Sequence, residues 1–182
     1  MKKILLTSAG FENKNIQNKF MELVEKEPKK IKALFITTAA IEPDAIMVLP
    51  KCLEDLLNCG ISKENITIYD MHKKMEINEL QKYDALYVCG GKTSYLIERI
   101  NEINFKDILD EYTTNGGIYI GVSAGSVAAS GTYKNGLNFI ENKIEVHCKK
   151  GSSIGKITNL DTLYLTNNQA ILITEEENSI IE

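Results

Sequence analysis

The stretch "GIYIGVSAGSVAAS", residues 117–130, decides how the chain is read. Its apolar, β-rich first half runs directly into a Gly/Ser/Ala cluster, and Ser123 stands at the centre of a Gly-x-Ser-x-Gly pattern. That is the sequence form of a nucleophile elbow. There a strand turns sharply into a helix, the serine hydroxyl is exposed, and small neighbours avoid collision. The free N–H groups of the following helix then point at any oxyanion formed there. The same letters also describe a Gly/Ser-rich turn in which Ser123 or Ser126 is only a helix N-cap. Ser126 falls within the expected helix and is the weaker nucleophile. An elbow requires three things from the rest of the chain: a sheet, a second oxyanion donor and a base.

The sheet is legible on either side of the stretch. Apolar β-rich runs recur at residues 3–8, 32–40, 65–70, 84–91 and 117–123. Helical periodicity fills the gaps: "NKNIQNKFMELVEKE" places Ile16, Phe20, Leu23 and Val24 on one face ahead of Pro28, and "LEDLLNCG" ends on Gly60. Near-continuous apolar strands joined by helices imply a parallel sheet covered on both faces. The expectation is a three-layer, doubly wound α/β fold with a mainly parallel sheet. At 182 residues and 43% hydrophobic content the chain suffices for one core, so a single domain over residues 1–182 is expected. Beyond residue 131 the runs are short and strand-like ("NKIEVHC", "TLYLT", "AILITEEENSIIE"), and "ITEEENSII" predicts a hairpin with its acidic residues at the turn.

A net charge of −4 without a basic stripe argues against nucleic acid or an anionic membrane surface as partner. The apolar stretch in "MKKILLTSAGF" is too short for a signal peptide and reads as a first strand. No apolar run approaches the roughly 18 to 20 residues of a spanning helix, and a soluble cytoplasmic protein is expected. The four cysteines are irregularly spaced without a CxxC pair, which suits reduced thiols. The two histidines, His72 and His147, lie far apart in sequence, so neither a metal nor another cofactor is expected.

Two further segments complete the elbow. In "VCGGKTSYL", residues 88–96, an apolar strand meets Gly90 and Gly91 before Thr93 opens a helical pattern. Bare backbone N–H groups there suit an oxyanion hole, although glycine is also ordinary in such turns. In "KIEVHCKKGSS" an alternating strand ends on His147. A serine nucleophile needs a base within hydrogen-bond reach. His72, in the polar "DMHKKME", reads as a solvated loop residue, which leaves His147. Its neighbour Cys148 should point to the opposite face of an extended strand.

This ordered set, strand-Gly-Gly-x-Thr, then Gly-x-Ser-Ala-Gly-Ser, then a strand ending in histidine, resembles the aspartyl dipeptidase (peptidase E) family of serine peptidases. The resemblance runs from "ILLTSAGF" to the C-terminal hairpin. It implies a class I glutamine amidotransferase-like fold, Ser123 as nucleophile, His147 as base, oxyanion donors at the backbone of Gly90 and Ala124, and substrate contacts at Gly91 and Thr93. The implied substrate is a small peptide. An amidotransferase would carry cysteine at position 123.

The chain departs from the family's pattern in three places. The glycine loop, usually Gly-Gly-Gly-Asn-Thr, is Cys89-Gly90-Gly91-Lys92-Thr93 here. Asn167, in "LTNNQAI", stands where the family carries an acid to orient the histidine, so Asn167 or Asn168 should lie beside the His147 ring nitrogen that faces away from Ser123, unless Asp161 or Glu175 takes that place. The segment between histidine and acid is shortened and lacks the family's substrate-gripping arginine, so a preference for an N-terminal aspartyl residue does not carry over. These departures leave a second reading, a degenerate relative that binds a small molecule or partner with little turnover.

Overall fold

The computed structural model describes residues 2–158 and 161–182. Five strands, β1 (Lys3–Thr7), β2 (Ala33–Ile36), β3 (Ile66–Tyr69), β4 (Ala85–Val88) and β5 (Ile118–Val122), match the five apolar runs. They lie parallel in the order β3-β2-β4-β5-β1. The sheet continues antiparallel from β1 through β9 (Ala170–Ile173) and β10 (Asn178–Ile181) to the short edge strand β7 (Gly155–Lys156).

Period-two alternation sends neighbouring strand residues to opposite faces, and here both faces are covered. Ile4, Leu6, Leu34, Ile36, Leu86 and Val88 join one hydrophobic cluster; Leu5, Ala33, Phe35, Ala85, Tyr87 and Ile120 join the other. The second face receives α1 (Lys14–Val24) and α2 (Pro43–Asn58), through residues such as Ile16, Phe20, Cys52 and Leu56. The first receives α3 (Ile77–Leu80), α4 (Thr93–Glu102), α5 (Phe105–Thr114) and the five-residue α6 (Ala124–Ala128). A small parallel pair, β6 (Lys143–Glu145) with β8 (Thr162–Tyr164), adds Ile144 and Leu163 to this side. The architecture is thus the three-layer, mainly parallel α/β fold expected from the pattern.

The helix boundaries follow local chemistry. The Asn13 side chain accepts the Ile16 N–H and caps α1 at its N-terminus, and the chain leaves that helix through Glu25 in the left-handed region. Helix α2 begins nearly three turns before "LEDLLNCG", with Pro43 in its first turn, where a missing N–H costs nothing. The predicted hairpin is β9-β10, and Thr174 closes its turn by bonding Glu177 through both backbone and side chain.

Two expectations about the last third are corrected. The strand predicted to end on His147 stops at Glu145, because β6 pairs only with β8 over three residues. His147 itself adopts φ +58°, so Cys148 is not its opposite-face neighbour in an extended strand. The Cys148 thiol instead folds back towards the Glu145 and Val146 carbonyls.

Candidate active site

Adjacent parallel strands deliver the site at their carboxyl ends. Ser8 and Ala9 follow β1, Gly90 and Gly91 follow β4, and Ser123 follows β5. In doubly wound sheets this edge is where ligands bind.

Ser123 has φ 49° and ψ −106°, a conformation costly for any residue with a Cβ and of the kind stored at functional turns. The two glycines of Gly-x-Ser-x-Gly make the turn possible. A Cβ on Gly121 would lie 2.7 Å from the Ser126 nitrogen, and one on Gly125 would lie 2.4 Å from the Val88 carbonyl oxygen. The strained residue is held on both sides: its N–H donates to Thr7 O at 3.0 Å, and its carbonyl accepts from Ser126 and Val127 N–H at 3.0 Å each. The Ser126 hydroxyl is fully buried and donates to Thr7 O at 2.7 Å. Ser126 therefore ties the elbow to β1.

His147 reaches Ser123 from the loop after β6, with Nε2 2.9 Å from Ser123 Oγ. Its Nδ1 lies 2.8 Å from Asn167 Oδ1. With the amide oxygen facing it, Nδ1 carries the proton and Nε2 presents its lone pair to the serine hydroxyl. The left-handed backbone of His147 is held by a bond sequence reading did not foresee: its N–H donates to Ser8 Oγ at 2.7 Å. Ser8, fully buried, bridges onward to Leu165 O, which also accepts the Cys148 N–H at 2.9 Å. Gln169 braces the same corner, accepting Thr166 N–H and donating to Ser152 O. In sequence these residues carry no signal beyond being small or polar at strand ends.

Neither carboxylate offered as an alternative acid stands beside His147. The antiparallel register pairs Ile173 with Ile4 and Ala170 with Thr7, so Glu175 lies past the amino end of β1, at the far edge of the sheet from Ser123. Asp161 precedes Thr162, which pairs with Lys143. That pairing lies four residues before His147 along the chain. The Asn168 carbonyl accepts from the Asn13 side chain instead.

Gly90 sits against the serine, since a Cβ there would lie 3.1 Å from Ser123 Cβ. Among the described residues neither the Gly90 nor the Ala124 N–H has a protein acceptor, and Ala124 is the first residue of α6. The Lys92 N–H donates to Ala39 O at 2.8 Å, while its side chain is exposed. So the lysine in the glycine loop contributes its backbone, not its charge, to the loop's shape.

A cleft of about 360 Å³ opens beside Ser123, His147, Asn167, Gly90 and Gly91, with Thr93 outside its lining at the first turn of α4. Its far wall is α2, through Asp44, Ala45, Val48 and Leu49. Lys51 pairs with Glu12 across it. Beneath, Asp55 accepts the Phe11 N–H at 2.9 Å and the Tyr87 hydroxyl, and burial pushes its carboxyl above the usual range. Burial likewise drives the Cys89 thiol well up. His72 is exposed in a different loop beside Asp70. Among the described residues no three His, Cys, Asp or Glu side chains are grouped so as to hold a metal ion, and no helix is long and apolar enough to cross a membrane.

The sequence matches the model of peptidase family S51 over residues 4–181. The chain belongs to that family. An uncharacterized peptidase of Listeria monocytogenes is 28% identical over 130 residues, which cover 71% of this chain and 62% of that relative's length. The fold is shared with two solved structures, in each case over the whole of this chain. One is a candidate peptidase E from Listeria monocytogenes, with a TM-score of 0.78 at 21% identity over 98% of that protein. The other, a peptidase from an acI-B1 Actinobacterium, has a TM-score of 0.70 at 16% identity over 87% of its length. As an S51 member, this chain carries its elbow serine and its histidine in one hydrogen-bonded pair, with an amide as the third partner.

Proposed function

We propose that the chain is a serine-type peptidase acting on small peptides, with Ser123 as nucleophile and His147 as general acid and base. The observation that carries this reading is the 2.9 Å contact between His147 Nε2 and Ser123 Oγ at a strained strand-to-helix turn. In acylation the Ser123 oxygen forms a bond to the scissile carbonyl carbon while its proton passes to Nε2. The negative oxygen of the tetrahedral intermediate is held by the Gly90 and Ala124 N–H groups, which have no other protein acceptor among the described residues. As the C–N bond breaks, Nε2 returns the proton to the leaving amine. Water, deprotonated by the same nitrogen, then releases the acyl group and restores the serine. Gly91 lines the substrate side of the loop, and Thr93 opens α4 two residues on.

A fluorophosphonate probe tests the reading directly. Wild-type protein should gain one covalent label, mapped to Ser123, and Ser123→Ala should gain none. A folded wild-type protein that stays unlabelled beside a positive-control hydrolase would overturn the proposal.

Asn167 favours a second reading, a family member retained for binding with little turnover. A neutral amide holds the imidazole tautomer but adds no charge to stabilise imidazolium, and in a serine protease the aspartate-to-asparagine change costs about 10⁴ in turnover. Efficient cleavage of any dipeptide by the wild-type protein would exclude this alternative.

A further inference from the structure

The cleft next to Ser123 has an unusual wall. Helix α2 presents Asp44, Val48 and Cys52, spaced i, i+4 and i+8, along one face of the cavity. Over those eight residues the helix rises about 12 Å. Exposure falls along the same line, from exposed Asp44 at the mouth through Val48 at 49% to Cys52 at 5% on the floor. Ala45, Leu49, Ala9 and Val122 make the rest of this wall apolar. That side of the cavity is therefore greasy, with the Asp44 carboxylate at its exposed end and the Glu12–Lys51 pair elsewhere in the lining.

Its charges are unequally engaged. Lys51 and Glu12 neutralise each other. Asp55 lies beneath the lining and is occupied by the Phe11 N–H and the Tyr87 hydroxyl. Among the described residues Asp44 makes neither an ion pair nor a side-chain hydrogen bond, so its negative charge beside the cleft is offset only by the amino end of α2, whose first turn it occupies. No guanidinium approaches: Arg99, the chain's one arginine, bonds Met71 O and pairs with Glu102 on α4. An acidic substrate side chain would meet an apolar wall whose lining lysine, Lys51, is already paired with Glu12.

Resting on the reading of Ser123 as the acylating nucleophile, we propose that the cleft selects peptides with a free amino terminus and an apolar first side chain. The side chain lies against Val48 and Leu49, and the ammonium rests on Asp44. An apolar wall rewards buried hydrocarbon in proportion to its area. A part-exposed ion pair adds a smaller preference, so the side chain sets most of the selectivity and the amine the remainder.

Binding to the Ser123→Ala protein tests this without turnover. Titrations followed by NMR would use Met-Ala, Asp-Ala and N-acetyl-Met-Ala. Met-Ala should bind about tenfold or more tightly than Asp-Ala, and acetylation should weaken Met-Ala by about three- to fivefold. Adding Asp44→Asn should erase the acetylation effect alone, and adding Val48→Arg should reverse the order in favour of Asp-Ala. Both positions are exposed enough to tolerate the change. Equal or tighter binding of Asp-Ala, indifference to acetylation, or no binding of any of the three peptides would overturn the proposal. Fluorophosphonate labelling of wild-type Ser123 is a separate readout, so specificity and nucleophile fail independently.

Discussion

The His147 N–H donates to Ser8 Oγ at 2.7 Å, so a residue at the end of the first strand fixes the backbone of one lying 139 positions later. Through that bond His147 keeps φ +58° while its ring reaches Ser123. Ser8→Ala removes the acceptor and leaves the N–H without it, at a cost of about 1–3 kcal/mol in stability if the group stays dry. The ring would then be held less firmly over the serine. Expected is a fall in kcat of about tenfold with KM little changed, because the hydroxyl is buried and taken up by the His147 N–H and Leu165 O. Steady-state kinetics alongside a thermal melt separate positioning from a general loss of folding. A KM effect with kcat intact would contradict the role.

Gly125 offers a different check, on the elbow itself. A Cβ at this position meets the Val88 carbonyl oxygen at 2.4 Å, and backbone cannot rotate away as a side-chain tip can. Gly125→Ala should cost about 1–3 kcal/mol, several degrees in Tm, and should sharply reduce fluorophosphonate labelling of Ser123. Labelling at the wild-type rate would mean that the turn's geometry does not need the glycine.

The five parallel strands could be read from sequence because each is a short β-rich run and four of them, β1, β2, β4 and β5, are buried on both faces, a pattern independent of distant residues. Ser123, Gly90 and Gly91 could be read because a tight strand-to-helix turn constrains local composition. The rest depends on tertiary contact. The apolar alternation of "NKIEVHC" predicts a strand through His147, but pairing with β8 runs out at Glu145 and the Ser8 bond turns the chain aside. The first turns of α2 were hidden for another reason. Ile46, Met47, Val48 and Leu49 are consecutive apolar residues with no helical period, and Pro50 follows within the helix. That wall of the cleft, including Asp44, carries no motif at all.

Asp55 predicts a pH signature of folding. Burial raises its carboxyl above the ordinary 3.8, outweighing the Tyr87 and Phe11 hydrogen bonds that pull it down. A folded-state value above the unfolded one means that the native protein binds the extra proton between the two. Its contribution to stability is therefore largest at low pH and is lost as pH rises through the raised value. Asp55→Asn keeps an acceptor for the Phe11 N–H and removes the titration. The Tm of the variant relative to wild type should climb as pH rises from about 4 and then level off once Asp55 is ionised. A flat difference across that range would show that burial does not govern this carboxyl.

The neutral partner of His147 allows the sharpest test of mechanism. Asn167 Oδ1 faces Nδ1 at 2.8 Å, whereas Asp161 precedes the residue paired with Lys143, four positions before His147, and Glu175 lies past the amino end of β1. When Nε2 takes the Ser123 proton, the imidazolium so formed has an amide dipole beside it where a carboxylate would supply a full charge. Asn167→Asp adds that charge at nearly constant volume, in a position that is already exposed and needs no repacking. Peptide hydrolysis should rise by a factor of up to about 10³ to 10⁴, expressed mainly in kcat because the charge acts on the transition state and not on bound substrate. Progress curves of wild type and variant on one dipeptide, with Ser123→Ala as the blank, give the ratio. A variant no faster than wild type, both being folded and labelled at Ser123, would show that the amide already meets the needs of this imidazole and that the missing carboxylate does not limit the chemistry.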